Sequence, residues 1–327
     1  MNLDFLGLLP CALKVPFEAS LSNYLEQRKG KMEEKSLHYS VVSNANNELS
    51  FFSKLKDMTD FRWLPQMVLA PGFNGFFYKN FMESYKASHF CSVVPFNMNP
   101  LWQKYDLLDP QGTYTLLGFN PTVFLIDKTV HKELPTPKRW SHLLNPEYKG
   151  KVAIRGHHRP SGETPIEFCE GILLNIFKEH GEEGIEKLGK AVGWSLHPSE
   201  MIKLTGSKKN NAPAISAVPY SFAKLAKKDE NISILWPEDG AIINPIVLMV
   251  KNESEKNLLL EFLLSSHLAK VFSEIGFASI HGEAAEALSE NNHYKWLGWD
   301  FIYENDLEHL KSYLNKVFFT TYRGESQ

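Results

Sequence analysis

The sequence predicts an α/β protein of two domains, and three observations lead to that fold class. The chain has 327 residues, more than a single hydrophobic core usually organises. Short apolar runs alternate along it with amphipathic helical patterns, as in proteins built on parallel sheets. Two longer extended runs, 113–126 and 241–250, each contain an Asn-Pro step. Proline donates no hydrogen bond to a neighbouring strand, so these steps suit strands that cross between sheets.

Strand–loop–helix units recur along the chain and support the parallel sheets. In each unit an apolar run leads through polar residues, glycine or proline into a helical pattern. The strands are predicted at 37–42, 66–70, 151–155 and 214–218. One helix is predicted at 16–35, and a second helix is predicted to end at Gly181. Ligands of such sheets bind where strand ends meet helix starts.

Composition and charge restrict the class of partner. The chain is 43% hydrophobic and 22% charged, which is typical of a globular protein. A net charge of −3 supplies no concentrated basic surface, so we expect no nucleic-acid partner. No apolar stretch reaches the length that spans a bilayer, so we expect no membrane-spanning segment. We expect a monomer that binds a small molecule.

The cysteines and the N-terminus predict a reducing compartment. Cys11, Cys91 and Cys169 are odd in number and have no metal-binding or redox spacing. The first residues contain no basic cluster, and their apolar run stops at Pro10. Because a secretory signal needs both a basic start and a longer apolar run, we expect a cytoplasmic location.

The stretch 137–162, PKRWSHLLNPEYKGKVAIRGHHRPSG, resembles a block found in solute-binding proteins of bacterial ABC importers. The likeness is to their ferric-ion, thiamine and polyamine branch. Further matches follow in the family's order: GTYTLLGFNPTVFLIDK, ISAVPYSFAKLAKK, WPEDGAIINPIVLMVK and KNLLLEFLLSSHLAKVFSEIGF. Family members normally work in the periplasm or anchored outside the cell.

The resemblance implies the two-lobed fold of type II periplasmic binding proteins, in which each lobe is a mixed sheet flanked by helices. It implies a first lobe from 36–120 plus 245–327 and a second from 121–244, after an N-terminal helical extension at 1–35. Two hinge strands, containing Asn120 and Asn244, would join the lobes and let a cleft close on the solute. An ABC permease is the protein partner that the resemblance implies.

The loop that follows the predicted strand 151–155 is the most informative candidate site. It precedes a helix start, where backbone N–H groups and the helix dipole favour an anion. Arg155 adds a guanidinium that can hold a carboxylate in bidentate fashion, Ser161 adds a hydroxyl, and Gly162 allows close backbone approach. A solvated loop whose charges pair with neighbouring acids is the alternative. His157 belongs to the same loop and is a candidate contact.

Other candidate contacts lie at the ends of the remaining strands and beside the hinges. They are Ser43, Asn44, Asn46, Gly72, Phe73, Asn74, Asn120, Tyr220 and Glu238. The Asn and Ser side chains also suit capping of the helices that follow, and the two roles are compatible. The resemblance places a ligand-contacting tyrosine at Tyr220. Glu238 offers a carboxylate to an amine or a metal, and a solvated turn is its alternative.

No resident metal or cofactor is predicted. His157 and the adjacent His158 point to opposite sides of an extended chain, so the pair is poorly placed to hold one ion. No phosphate-binding or nucleophile motif is complete. We therefore expect a binding protein of an ABC-type system, or a cytoplasmic sensor or buffer related to one, with a small anionic or zwitterionic ligand. An enzyme on the same fold and the effector-binding module of a regulator stay open as alternatives.

Overall fold

The structure is a computed structural model. It describes residues 3–28, 37–43, 51–52, 54–55, 58, 60–86, 89–129, 131–156, 170–207, 212–227, 229–252, 258–283, 288 and 292–322. The chain divides into two compact units. Unit 1 comprises 1–120, 244–290 and 298–307, and unit 2 comprises 121–243, 291–297 and 308–327.

Strands and helices alternate over much of the described chain, as the predicted α/β class requires. The strands are β1 (Phe5–Leu9), β2 (Tyr39–Ser43), β3 (Met67–Pro71), β4 (Phe90–Cys91), β5 (Thr115–Asp127), β6 (Val152–Arg155), β7 (Val192–Leu196), β8 (Ile215–Pro219), β9 (Ile232–Leu235), β10 (Ala241–Lys251), β11 (Ala278–Ser279) and β12 (Tyr294–Lys295). The α-helices are α1 (Cys11–Glu26), α2 (Lys79–Phe81), α3 (Leu101–Lys104), α4 (Glu170–Ala191), α5 (Pro198–Leu204), α6 (Tyr220–Ala223), α7 (Leu258–Leu263), α8 (Ser266–Ile275), α9 (Trp299–Glu304) and α10 (Leu307–Thr321).

The sheet of unit 1 has the strand order β2–β1–β3–β10. The first three strands are parallel, with Phe5 opposite both Tyr39 and Met67. β10 is antiparallel to β3. The carboxyl ends of β1, β2 and β3 therefore lie on one edge of this sheet, and we call it the unit 1 edge.

The N-terminal segment differs from the sequence expectation. Instead of a helical extension over 1–35, residues Phe5–Leu9 form a strand between β2 and β3, and helix α1 begins at Cys11. The short apolar run was not recognised as a strand, because a strand buried on both faces shows no alternation. Phe17 of α1 packs on Phe262, with ring centroids 5.4 Å apart. The segment is thus an integral part of unit 1.

The sheet of unit 2 has the order β5–β8–β6–β7, with β9 also paired to β5. β6 is parallel to both β7 and β8. β5 is antiparallel to β8, with Thr122 opposite Pro219. The carboxyl ends of β6, β7 and β8 consequently share one edge with the start of the unit 2 part of β5. We call this the unit 2 edge.

Two strands run through both units. The boundaries between the units fall after Asn120 in β5 and before Asn244 in β10. Nδ2 of Asn244 donates a hydrogen bond of 2.9 Å to the backbone oxygen of Asn120. Each predicted Asn-Pro step therefore lies at a point where the chain passes from one unit to the other.

The C-terminal region is also divided differently from the expected lobes, which placed all of 245–327 in the first. Residues 291–297 and 308–327 belong to unit 2. β12 pairs in parallel with the start of β10, and Oγ1 of Thr321 donates to the backbone oxygen of Glu186, 2.8 Å away. These long-range contacts join segments far apart in sequence, which local pattern does not reveal.

The strands predicted at 66–70, 151–155 and 214–218 are confirmed to within a residue or two as β3, β6 and β8. The closing role predicted for Gly181 is also confirmed. It has a φ of 61° and interrupts the helical geometry of α4. Left-handed backbone of this kind favours glycine, which carries no side chain to clash.

We predict that Phe5→Ala destabilises unit 1 strongly. Phe5 is fully buried and stacks on Phe17 with a centroid distance of 6.0 Å. Removing a buried ring lowers the free energy of unfolding by about 3–5 kcal/mol, which urea denaturation would measure. Val15→Ala on the exposed side of α1 is the control, and it should change that value by less than about 0.5 kcal/mol. Equal, small effects would contradict the placement of β1 in the core.

Candidate functional site

Arg155 lies on the unit 2 edge as the last residue of β6. It is half-buried and stands opposite Leu196 of β7 in the parallel ladder. The backbone N–H of the next residue, Gly156, donates to the oxygen of Leu196 at 3.4 Å. The loop that follows is outside the described residues, and with it the candidate contacts His157, Ser161 and Gly162.

His197 follows β7 on the same edge and was not recognised from the sequence. Its Nδ1 lies 2.8 Å from Oγ of Ser199 and accepts the backbone N–H of Ser199 at 3.2 Å. Oε2 of Glu200 accepts the backbone N–H of His197 at 2.9 Å, which completes a reciprocal cap on α5. No motif marks a capping histidine, so only the strand that precedes it gives a sequence signal.

The positive charge of Arg155 affects the pKa of His197. Burial, followed by the neighbouring Arg155 guanidinium, lowers the pKa of His197, while Glu200 acts in the opposite direction. A neutral imidazole keeps Nδ1 available as the acceptor that caps the helix. Arg155 and His197 therefore form a polar pair at neighbouring strand ends, with a fixed positive charge on Arg155.

Aromatic side chains follow strands β8 and β9 of the unit 2 sheet. Tyr220, which starts α6, is half-buried and meets the edge of Trp236 with ring centroids 5.4 Å apart. The ring centroid of Trp236 in turn lies 5.5 Å from that of Tyr294. Nε1 of Trp236 donates a hydrogen bond of 2.6 Å to the backbone oxygen of His293. Tyr220 and Trp236 also pack against the buried cluster that contains Val123 and Val218. The aromatic rings are thus held in place by the core beneath them.

Ser43 and Cys11 meet at the unit 1 edge. Oγ of Ser43, at the end of β2, lies 3.3 Å from Sγ of Cys11, which starts α1. Cys11 is exposed, and its thiol is free. The candidates Asn44 and Asn46 are outside the described residues. Cys11 was not predicted as a site residue because the strand before it was not recognised.

In the loop after β3, the side chains of Phe73 and Asn74 contact residues close to them in the chain. Phe73 is buried, and its ring packs on Phe77 at 6.1 Å. Oδ1 of Asn74 accepts the backbone N–H of Phe76 at 3.0 Å, while Nδ2 donates to the oxygen of Pro71 at 3.2 Å. This is the capping role that the sequence left open for Asn74. Gly72 has a φ of 74°, and its N–H donates to the oxygen of Pro245 at 2.8 Å.

Glu238 lies in an exposed turn and forms two ion pairs. Its carboxylate is 3.6 Å from Nζ of Lys138 and 3.5 Å from Nε of Arg139. These contacts correspond to the solvated turn considered for this residue. Within the described part of the chain, no group of three His, Cys, Asp or Glu side chains is placed to hold a metal ion.

The sequence matches a family described as bacterial extracellular solute-binding protein over residues 63–305, most of its length. The chain belongs to that family. The recognition made from the quoted blocks is therefore confirmed. None of the curated protein sequences compared with the chain matches it significantly.

Solved structures of binding proteins share the fold of this solute-binding protein at low sequence identity. The apo ferric ion-binding protein A of Pasteurella haemolytica is 14% identical, with a TM-score of 0.63 over 97% of this chain and 98% of its own. The Trichodesmium protein IdiA (FutA), in complex with iron and citrate, is 12% identical, with a TM-score of 0.63 over 98% and 99%. AfuA from Actinobacillus pleuropneumoniae, with fructose-6-phosphate bound, is 12% identical, with a TM-score of 0.61 over 96% and 97%.

These comparisons confirm the predicted type II periplasmic-binding-protein fold. The family and the similar structures are binding proteins. The family's extracellular description gives no support to the cytoplasmic location that the N-terminal residues predicted. No helix in the described ranges is long and apolar enough to cross a membrane.

We predict that acidification destabilises unit 2 through His197. Its pKa is lower in the folded protein than in the unfolded chain, so its stabilising contribution is complete above the ordinary histidine pKa of about 6.5. That contribution is lost as the pH falls through the lower folded value, because protonation removes the capping acceptor.

The comparison variant is His197→Asn, which retains a capping acceptor but does not titrate in this range. Thermal unfolding from pH 7 to pH 5 should lower the midpoint of the wild type more than that of the variant. Parallel pH profiles would contradict the assignment.

Proposed function

We propose that this solute-binding protein binds a small anionic or zwitterionic solute, with Arg155 as its principal charge partner. The observation that carries the proposal is the position of Arg155 at the carboxyl end of a parallel strand, beside the capped start of α5. Ligands of open α/β sheets bind outside such strand ends. A guanidinium there is permanently charged and matches the geometry of a carboxylate or a phosphate.

The aromatic residues support recognition of the uncharged part of the solute. Tyr220 and Trp236 present half-buried rings near the same edge. Aromatic rings supply apolar contact area and positioned polar groups at low conformational cost. Ser221, also on α6, adds a buried hydroxyl. We propose that Tyr220 contacts the solute, as the family resemblance implies.

The similar structures support an anionic ligand. Citrate accompanies iron in the Trichodesmium protein, and fructose-6-phosphate occupies AfuA. Both organic ligands carry the acidic groups that a guanidinium recognises. We propose that the solute of this chain belongs to the same broad chemical class and is delivered to an ABC permease. Ser43 and Gly72 on the unit 1 edge, and Asn120 in the crossing strand, complete the proposed contacts, with Phe73 and Asn74 shaping that edge from within.

An enzyme would convert the solute into a product, whereas a binding protein would release it unchanged. The solute released by denaturing the complex should have an unchanged mass after prolonged incubation with the protein. A time-dependent product would favour the enzyme alternative instead.

We predict that Arg155→Ala abolishes most of the affinity. Removing a charged hydrogen-bonding partner from a desolvated site costs about 2–5 kcal/mol, which corresponds to roughly 30-fold to several thousandfold in Kd. Calorimetric titrations with citrate, inorganic phosphate and fructose-6-phosphate would first find the best wild-type probe and then measure the variant.

Arg62→Ala serves as the control for this substitution. Arg62 pairs with Asp60 on the surface of unit 1, at 2.8 Å, so its loss should leave the Kd unchanged. The thermal midpoint of unliganded Arg155→Ala should move by only about a degree or two. A large loss of stability with unchanged affinity would show that Arg155 only braces unit 2.

We also predict that the solute slows alkylation of Cys11 by N-ethylmaleimide. Cys11 is exposed at the unit 1 edge beside Ser43, so a ligand contacting that edge should cover its thiol. Cys91 is the internal control, because it is half-buried and burial raises its pKa, so it reacts slowly with or without solute. Peptide mass mapping would measure both rates. An unchanged alkylation rate at Cys11 under saturating solute would contradict contact of the solute with the unit 1 edge.

A further inference from the structure

His197, which follows β7, has two ring nitrogens in different environments. Nδ1 accepts the backbone N–H of Ser199 at 3.2 Å and lies 2.8 Å from the Oγ of the same residue. Because an acceptor nitrogen carries no proton, the proton of the neutral imidazole is on Nε2. Burial and the positive charge of Arg155 lower the pKa of His197, so the neutral form predominates at pH 7 and above. The cap on α5 therefore fixes Nε2 as a hydrogen-bond donor.

The Nε2–H group of His197 is available to a ligand. Within the described part of the chain it donates to no acceptor, and it is not one of the side-chain atoms enclosed away from solvent. Nε2 is on the other side of the ring from Nδ1, so its N–H bond is directed away from the backbone that Nδ1 caps. A donor placed in this way can bind an acceptor without giving up a bond inside the protein.

A second contact holds the imidazole ring in place. The ring of His197 meets that of Phe222 edge to face, with centroids 5.9 Å apart and planes at 89°. Phe222 belongs to α6 and packs, like Tyr220 at the start of that helix, against the buried cluster that contains Val123 and Val218. A side chain fixed by both a cap and a ring contact has little conformational freedom to lose when it binds a ligand.

The contact with Phe222 also relates His197 to the residues proposed to bind the solute. β7 and β8 pair with β6 from opposite sides. The contact therefore joins the segments that follow the two outer strands of this trio, and Arg155 ends the strand between them. Arg155 is close enough for its charge to act on the imidazole. The unit 2 edge thus offers a charged donor from Arg155 and a neutral donor from His197.

We propose that Nε2 of His197 donates a hydrogen bond to the solute and selects a solute with an acceptor oxygen near the acidic group that Arg155 holds. This inference rests on the proposed function, because it concerns the same solute at the same edge. A solute with an ammonium group at this point would be rejected, since one donor would then face another. Phosphates, hydroxy acids and dicarboxylates carry neighbouring oxygens that satisfy both residues.

Two substitutions separate the roles of the two ring nitrogens. His197→Asn retains an acceptor that caps α5 but removes the distal donor, whereas His197→Gln retains a distal N–H donor and loses the cap. His142→Asn is the matched control in unit 2, because Nδ1 of His142 also accepts a backbone N–H, that of Lys138 at 3.2 Å, in the segment before β6. Calorimetric titrations at pH 8 with citrate, inorganic phosphate and fructose-6-phosphate give the Kd, and thermal unfolding without ligand gives the Tm.

The two variants should differ in opposite ways. For the probe that binds the wild type best, His197→Asn should weaken binding roughly tenfold to a hundredfold, with a Tm within about a degree of the wild type. His197→Gln should lower the Tm by about 2–4 °C and bind within about threefold of the wild type. His142→Asn should leave the Kd unchanged. The proposal is overturned if His197→Asn binds as tightly as His197→Gln, because affinity would then not depend on the distal donor.

Nitrogen-15 NMR of the imidazole rings tests the proton position without any ligand. The His197 signals, identified by their absence from His197→Asn, should show the proton on Nε2, and a proton on Nδ1 would overturn the proposal. Failure of the proposed function has a different outcome, in which Arg155→Ala binds like the wild type or the wild type binds none of the three probes. If Arg155→Ala loses affinity and His197→Asn does not, the role of His197 alone is refuted.

Discussion

The parallel ladder of β6 with β7 and β8 is the constraint on which the proposed site depends. Its hydrogen bonds align Ile154 with Ala217 on one side and Arg155 with Leu196 on the other. The strands therefore end together, so that Arg155, His197 and the start of α6 follow on one edge. A slip of one residue in this register would turn the side chain of Arg155 to the opposite face of the sheet.

β5 and β10 are the two strands that pass from one unit to the other, and their burial restricts the path that each can take. Nearly every residue of both strands is buried, and the Asn at each crossing is only partly so. Gly118 of β5 lies so close to β11 and α8 that an added Cβ would be 2.2 Å from the ring of Phe272 and 2.5 Å from the backbone oxygen of Ala278. Close backbone packing of this kind requires glycine and fixes the strand before it leaves unit 1.

The fold was largely predictable because its strongest signals are local. The strands that become β3, β6 and β8 have runs of apolar residues bounded by proline, glycine or polar residues, and the Asn-Pro steps mark both crossings. β1 was missed because its short run of apolar residues, four of five positions buried, shows no alternation of apolar and polar residues. The C-terminal division was missed because it depends on contacts such as that of Thr321 with Glu186, which no local pattern encodes.

The candidate site was predictable only in part, for physical reasons that differ by residue. Arg155 follows from its position after a strand and before a helix. His197 was missed because its role depends on β7 lying beside β6. The sequence around Asn74 fits both a ligand contact and a helix cap. In the structure its carboxamide forms the cap, accepting the backbone N–H of Phe76. A side chain with one short polar group often serves local backbone before any ligand.

Native mass spectrometry of the freshly purified protein tests the central claim most directly. The claim is that Arg155 holds a small acidic solute at the unit 2 edge. The wild type should carry a co-purified solute with a carboxylate or a phosphate, and Arg155→Ala, folded to the same extent by circular dichroism, should lack it. A neutral or cationic solute retained equally by both proteins would contradict the account.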